Sequence, residues 1–516
     1  MAAAAHQEWQ LSAEQRDDTV ARVAQNLASL TFFAGGSVPD SEALRLATEF
    51  EKKAYTVARV EARTTTGTRP HAETFAAYTR KLASLLLEAS KARSAANGAA
   101  DASGGVLQPA AAPADASQVD LTGVREFLVA ETAQEALASM LAEGAAVSRI
   151  KLSTKSFGAE AAGVAADAIA NCAASLTHAD LSDVIAGRPE AEALDALRIL
   201  SNALAQARLK VLDLSDNALG EKGVRACAAA LSNQAGLERL AFQNVGCSIA
   251  ACRAIAELLT DASSLAALHL HNNMSDNEGA AAIAGVLARA PALQDFRMTS
   301  SRVGPEGGIA LAQGLSAGRR LVRLDLSGNT MTADAAPGLA QALRGQQGLR
   351  ALYLNDAGLG DEGVAAIAEA LAEGSIELEE LELAFNDLTE DGAASLAAAL
   401  WRRVLPALQE LDLCQNQIRR AGALAVAKAV AAAKGLRLLA LDENEISDAG
   451  VDHLKAVLKA AGQLGTLGSL EDNDADAADE AEGEEDEEDD DGEAADTADA
   501  EESDLAAELA RATKIA

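Results

Sequence analysis

The chain has 516 residues, 49% apolar but only 3% aromatic, so a sizeable core is available and must be built from Leu, Ala, Val and Ile. Formal net charge is -35, and Glu471 onward holds 22 acids against Arg511 and Lys514, leaving the preceding body only moderately acidic. That balance disfavours a phosphate-binding surface, which needs clustered Lys and Arg, and no nucleic-acid partner is expected.

The opening MAAAAHQEWQLSAEQRDD lacks a positive segment followed by an apolar one. No apolar stretch of about 18 residues occurs either, so a cytoplasmic protein without membrane insertion is expected. Ser12-Ala13-Glu14-Gln15 reads as a capping box, after which Val20, Val23, Leu27 and Leu30 recur at helical spacing. A second helix opening at Pro39-Asp40 carries Leu44, Ala47, Ala54 and Val57, and a third carries Phe75, Tyr78, Leu82 and Leu85. Residues 1–95 therefore read as a small helical domain. Residues 96–118, rich in Ala, Gly, Pro and Ser, read as a flexible linker.

From residue 119 to 463 the pattern becomes a short LxL strand, a turn often holding Asn, and a helix rich in Ala and Leu. The second strand apolar residue marks the register, at Leu152, Leu181, Leu214, Phe242, Leu270, Met298, Leu326, Leu354, Leu383, Leu413 and Leu441. These eleven anchors are spaced by 28 to 33 residues, the period of the long leucine-rich repeat. No unit buries its apolar face alone, so the expected α/β fold is a horseshoe with a parallel sheet inside and helices outside, ribonuclease-inhibitor-like. Residues 119–148 and 449–463 are the expected caps, and LGTLGSL is a poor match to a further strand. Residues 464–502 read as a solvated, self-repelling acidic tail, and 503–516 as one short helix.

No Walker-type loop, HExxH or GxSxG occurs, so an independent hydrolase has little to stand on. Five cysteines without a CxxC pair point to a reducing compartment, and Cys247 with Cys252 to packing rather than metal. Asn217, Asn273, Asn329, Asn386, Asn416 and Asn444 lie three residues after their anchors and mark a structural ladder. Asn244 lies two after Phe242, with Val245 in the ladder position, and Asn272 shares that offset. An amide there has no ladder role and should stand at the loop edge, within a partner's reach. The 33-residue unit after Leu181 contains an insertion beginning DVIAGRPEAEA. Arg188, between Gly187 and Pro189, either presents its guanidinium to a carboxylate or phosphate or is a solvated surface side chain. Asp183 and Asp216 belong to the same rim, and His271, paired with His269 near Leu270, is a further candidate contact.

The runs LSDVIAGRPEAEALDALRILSNAL and LKVLDLSDNALGEKGVRA resemble Ran GTPase-activating proteins, especially those of plants and green algae. The likeness extends through HNNMSDNEGA, FRMTSSRVGPEGGIALA and NQIRRAGALAVAKAV, while RVAQNLASLTFFAGG and FEKKAYTVA look like the helical WPP domain. The resemblance implies a crescent of eleven repeats that binds Ran in its GTP form and speeds hydrolysis. It has no cofactor of its own, since GTP and Mg sit on the GTPase. It matches Arg188 to an arginine that helps engage the GTPase and Asn244 to an asparagine that helps organise the GTPase's own machinery, without an inserted arginine finger. It also implies contact with a Ran-binding protein through the GTPase, and docking of residues 1–95 on coiled-coil proteins of the nuclear envelope. The Trp-Pro-Pro signature is absent, its site reading Trp9-Gln10-Leu11, which puts that docking in question. The competing reading is a non-catalytic scaffold of the ribonuclease-inhibitor type. An immune-receptor fragment would need a nucleotide-binding module that this sequence lacks.

Overall fold

The computed structural model describes residues 117–232, 234–373, 376–402 and 407–474, with helical positions 16, 19–20, 23–24, 27, 43–48, 50–55, 78 and 81–82 before them. The chain divides into two compact units, Met1–Ala116 and Ser117–Ala516. The Ser12 capping box, the linker up to 116, most of the expected acidic tail and the C-terminal helix lie outside the described residues.

In the first unit Val23, Leu27, Ala43, Ala47, Phe50, Ala54, Tyr78 and Leu82 form one buried cluster. Leu44 is not part of this face, contrary to the expectation, and is 51% exposed. The face runs 43, 47, 50, 54 at helical spacing, one step round from Leu44. Glu51 is buried beside it and accepts from Arg16 Nε at 2.8 Å and Tyr78 OH at 3.0 Å, which keeps the carboxylate satisfied.

The second unit is a stack of strand–turn–helix modules. Its strands are β1 (Gln118–Asp120), β2 (Glu126–Leu128), β3 (Arg149–Lys151), β4 (Lys155–Phe157), β5 (His178–Asp180), β6 (Val211–Asp213), β7 (Arg239–Ala241), β8 (Ala267–His271), β9 (Asp295–Thr299), β10 (Arg323–Asp325), β11 (Ala351–Tyr353), β12 (Glu380–Glu382), β13 (Glu410–Asp412) and β14 (Leu438–Ala440). All but β2 and β4 form one parallel sheet in chain order, while β2 and β4 pair separately. Each crossover is a helix such as Glu190–Leu204, Asp276–Leu287 or Glu390–Arg402. Every anchor from Leu152 to Leu441 is buried against those helices.

Alanine on the inner helix faces lets neighbours approach closely. A Cβ on Gly314 would come within 2.6 Å of Ala284 O in the preceding helix. Helices still need about 8–10 Å between axes, whereas strands need only about 4.8 Å. The stack must therefore curve with the sheet on its inner wall.

Two expectations change at the ends. The sheet has twelve strands rather than eleven, because residues 119–148 are themselves a module: β1 lies in register with β3, and Leu121 N donates to Lys151 O at 2.8 Å. Its helix is broken into Ala130–Ala136 and Ala138–Leu141, which blurs the periodicity. At the other end the array passes 463. Leu467 bridges Leu439, Gly468 N donates to Leu439 O, and Asn473 Oδ1 accepts from Asn444 N at 2.9 Å. LGTLGSL thus caps the sheet through these backbone bonds and through Leu467 and Leu470 packed against the core, without the LxL pattern of a strand.

Candidate functional site

The site is built from the turns at the strand ends. In each, the residue two after the anchor has positive φ: Thr154, Asp183, Asp216, Asn244, Asn272, Ser300, Gly328, Asp356, Phe385, Gln415 and Glu443. Hydrogen bonds to the next module impose this. Asp183 N donates to Ser215 O, Asp216 N to Gln243 O at 2.8 Å, Asn244 N to His271 O at 2.7 Å and Asn272 N to Thr299 O. The residue three after the anchor supplies the ladder. Asn273 Oδ1 accepts from Cys247 N at 2.9 Å while its Nδ2 donates to Phe242 O. Val245 fills that position with its own carbonyl, which accepts from Leu219 N and Gly220 N.

The offset of Asn244 is therefore not special in itself. Every turn has a left-handed residue there, and Asn and Asp tolerate that region because their short side chains bond locally. What distinguishes Asn244 is its setting. Its Nδ2 donates to Asp216 Oδ1 at 3.1 Å, and its Oδ1 accepts from Asn272 Nδ2 at 3.1 Å. Three successive modules are thereby linked at the rim. Asn244 and Asn272 are exposed, and an amide with one N–H and one lone pair so fixed still offers one of each. Asn244 is a pre-oriented donor–acceptor pair facing solvent.

Arg188 is not a solvated surface side chain, and the carboxylate its guanidinium meets is Glu192 of its own chain. Its side chain is 14% exposed. Nε donates to Ser156 Oγ at 3.0 Å, Nη2 to Ser156 O at 2.8 Å and Leu128 O at 3.1 Å, and Nη1 to Glu192 Oε1 at 3.1 Å. The guanidinium also lies 5.1 Å from the Phe127 ring centroid. Gly187 has φ +74, and a Cβ there would sit 2.8 Å from Phe127. Three of the five donors staple the inserted loop to the β2–β4 pair and a fourth holds Glu192 of the following helix, a task for a planar fork. The loop so held carries Asp183, which pairs with Arg125.

Acids crowd the inner wall beside this rim. Asp180 of β5 and Asp213 of β6 are register partners, and both are buried. Burial, then the neighbouring Asp180 charge, pushes the Asp213 carboxyl up to about 8. Burial raises Asp216 to about 6 against the Asn244 hydrogen bond, which lowers it. In the middle of the wall His269 faces Asp295 at 3.1 Å, and Arg297 lies 3.4 Å from Asp325. His269 is buried, and desolvation lowers its pKa against the Asp295 carboxylate, which raises it. His271 is half-buried and bonds Thr299.

Because the folded pKa of Asp213 lies above an unfolded carboxyl's, its contribution is fully present at low pH and is lost as pH rises through about 8. The thermal midpoint should fall between about pH 4 and pH 8, the ordinary and the raised carboxyl values, and Asp213→Asn should shrink that fall. An equal fall in both proteins would place the sensitivity elsewhere.

RAN GTPase-activating protein 2 of Arabidopsis thaliana is 45% identical over 486 residues, covering 88% of this chain and 88% of that protein. The chain belongs to the family of RAN GTPase-activating proteins. RAN GTPase-activating protein 1 of the same plant is 45% identical over 118 residues, 23% of this chain and 22% of that one. Ribonuclease inhibitor of Sus scrofa is 32% identical over 117 residues, 22% and 25% of the two chains. Residues 7–100 match the WPP domain, and 208–226, 347–368 and 376–397 match the leucine-rich repeat. The WPP match stands although the chain reads Trp9-Gln10-Leu11.

Of the six candidate site residues, Asp216, Asn244 and Asn272 form one bonded line, with Asp183 in the preceding left-handed position and His271 at the end of β8. Arg188 lies in the inserted loop, with its guanidinium bonded to the β2–β4 pair. Sequence reasoning missed Arg125 and Phe127, which hold that loop, and the buried acids Asp180 and Asp213. A signal existed for the acids, since each immediately precedes its anchor on the inner wall.

Proposed function

We propose that this chain binds Ran in its GTP form at the rim around Asn244 and stimulates GTP hydrolysis by completing the GTPase's own active site. The observation that carries this reading is the pre-oriented Asn244 amide between Asp216 and Asn272. Such an amide can hold a catalytic side chain or water of the partner in place, a gain that comes from positioning and fixed dipoles. Nucleotide, Mg and hydrolytic machinery then belong to the GTPase, and the chain needs no cofactor and is not itself an enzyme. Asp183, Asp216, Asn272 and His271 contact the partner. Arg188 is a positioning residue that keeps the Asp183 loop in shape, not a finger. A Ran-binding protein would join through the GTPase. The WPP unit gives a cytoplasmic protein a means of docking on coiled-coil proteins at the nuclear envelope.

Phosphate release from GTP-loaded Ran mixed with the purified chain tests this reading. Acceleration by orders of magnitude at catalytic amounts is expected. Binding without acceleration would overturn it in favour of a scaffold of the ribonuclease-inhibitor type.

A further inference from the structure

The row of left-handed turn residues has one member whose chemistry does not suit its backbone. Phe385 sits at φ +55, and the residue is 57% exposed. Among the described turns the other positions hold Asn, Asp, Ser, Thr, Gln, Glu or glycine. A bulky aromatic is a marked outlier in this region. The conformation is not optional there, because Phe385 N donates to Cys414 O at 3.0 Å, continuing the bond series through which Asn244 N reaches His271 O. Nor does the ring recover the strain by burial. A strained, solvent-facing aromatic held by its framework points to binding rather than folding.

We infer that Phe385 is a second anchor for the GTPase bound at Asn244, inserting into an apolar patch of that partner bordered by basic side chains. This rests on the reading given under Proposed function. Both residues occupy the same position in their turns, on the same rim. They are five strands apart, so at about 4.8 Å per strand the separation along the sheet is about 24 Å. A compact partner of about 200 residues has a radius of gyration of about 16 Å and spans that gap. Charge is matched as well. Exposed Asp356 and Asp387 flank Phe385, as Asp183 and Asp216 precede Asn244. An aromatic with an acidic border suits an apolar patch with a basic one, the arrangement of an interface hot spot with a polar rim.

The test exploits opposite demands on stability and binding. In the full-length chain, Phe385→Asn places a residue that tolerates the left-handed region, so the thermal midpoint should hold or rise. The dissociation constant for GTP-loaded Ran should weaken about tenfold or more. Phe385→Gly, which removes the backbone conflict altogether, should do the same, whereas Phe385→Tyr should keep most of the affinity. Stable Asn and Gly variants that bind Ran as tightly as the wild type would overturn the anchor while leaving the Asn244 reading intact. A wild-type chain that neither binds nor stimulates Ran would overturn both.

Discussion

Asn244→Ala is expected to lower the single-turnover rate of GTP hydrolysis on saturated Ran by about 10²–10³, the effect of removing one fixed donor from a charged transition state. Affinity should change far less, by about threefold, because the neighbouring contacts remain. Alanine is disfavoured at φ 51, and the variant also loses stability, by about 1 kcal/mol. Asn244→Gly therefore serves as the control. It keeps the turn without strain and removes the amide, and it should be as inactive as the alanine variant. A glycine variant that stimulates like the wild type would show that Asn244 is there only for its backbone conformation. Asn272→Ala should act in the same direction but more weakly, since it releases Asn244 Oδ1 without removing the Nδ2 that Asp216 orients.

Arg188→Ala should damage the fold first and activity through the fold. It strips donors from Ser156 O, Leu128 O and Glu192 Oε1 together, and leaving several acceptors unmet costs about 2–4 kcal/mol. The inserted loop, Ser182–Pro189, should then show faster amide exchange, and Ran affinity should fall with the displacement of Asp183. Arg188→Lys should recover little, because one ammonium cannot serve acceptors spread round a planar fork. An arginine finger predicts the reverse: intact stability with hydrolysis reduced by about 10³ or more. That pattern in denaturation and single-turnover measurements would overturn the positioning role.

The repeat array was legible because each module makes the same demand and answers it with the same residue types. Leucine at the anchors and Asn217, Asn273, Asn329, Asn386, Asn416 and Asn444 in the ladder can be read by period alone. The rim was only half legible. Asn244 stood out by its offset, yet the reason given, a missing ladder residue, does not separate it from other turns. Val184, Ser301 and Ala357 also fill ladder positions with backbone carbonyls. Its distinction lies in side-chain bonds to Asp216 and Asn272, each 28 residues away. The packing of Arg188 was hidden for a related reason. Its sequence neighbours reveal stiffness, but apart from Glu192, four residues on, its acceptors lie 32 and 60 residues earlier. On a helix, a single-step error in assigning the apolar face was enough to misplace Leu44.

The left-handed row separates two properties that most protein surfaces tie together. The turn's shape is dictated by backbone amides reaching the next module, whatever side chain projects from it. Each position is thus a socket whose occupant can be exchanged among Asn, Asp, Ser, Gly and Gln with little effect on the path of the chain. An array built this way can acquire, lose or relocate recognition chemistry one module at a time. The scaffold of a GTPase activator and that of a protein inhibitor can then differ mainly in which sockets are filled.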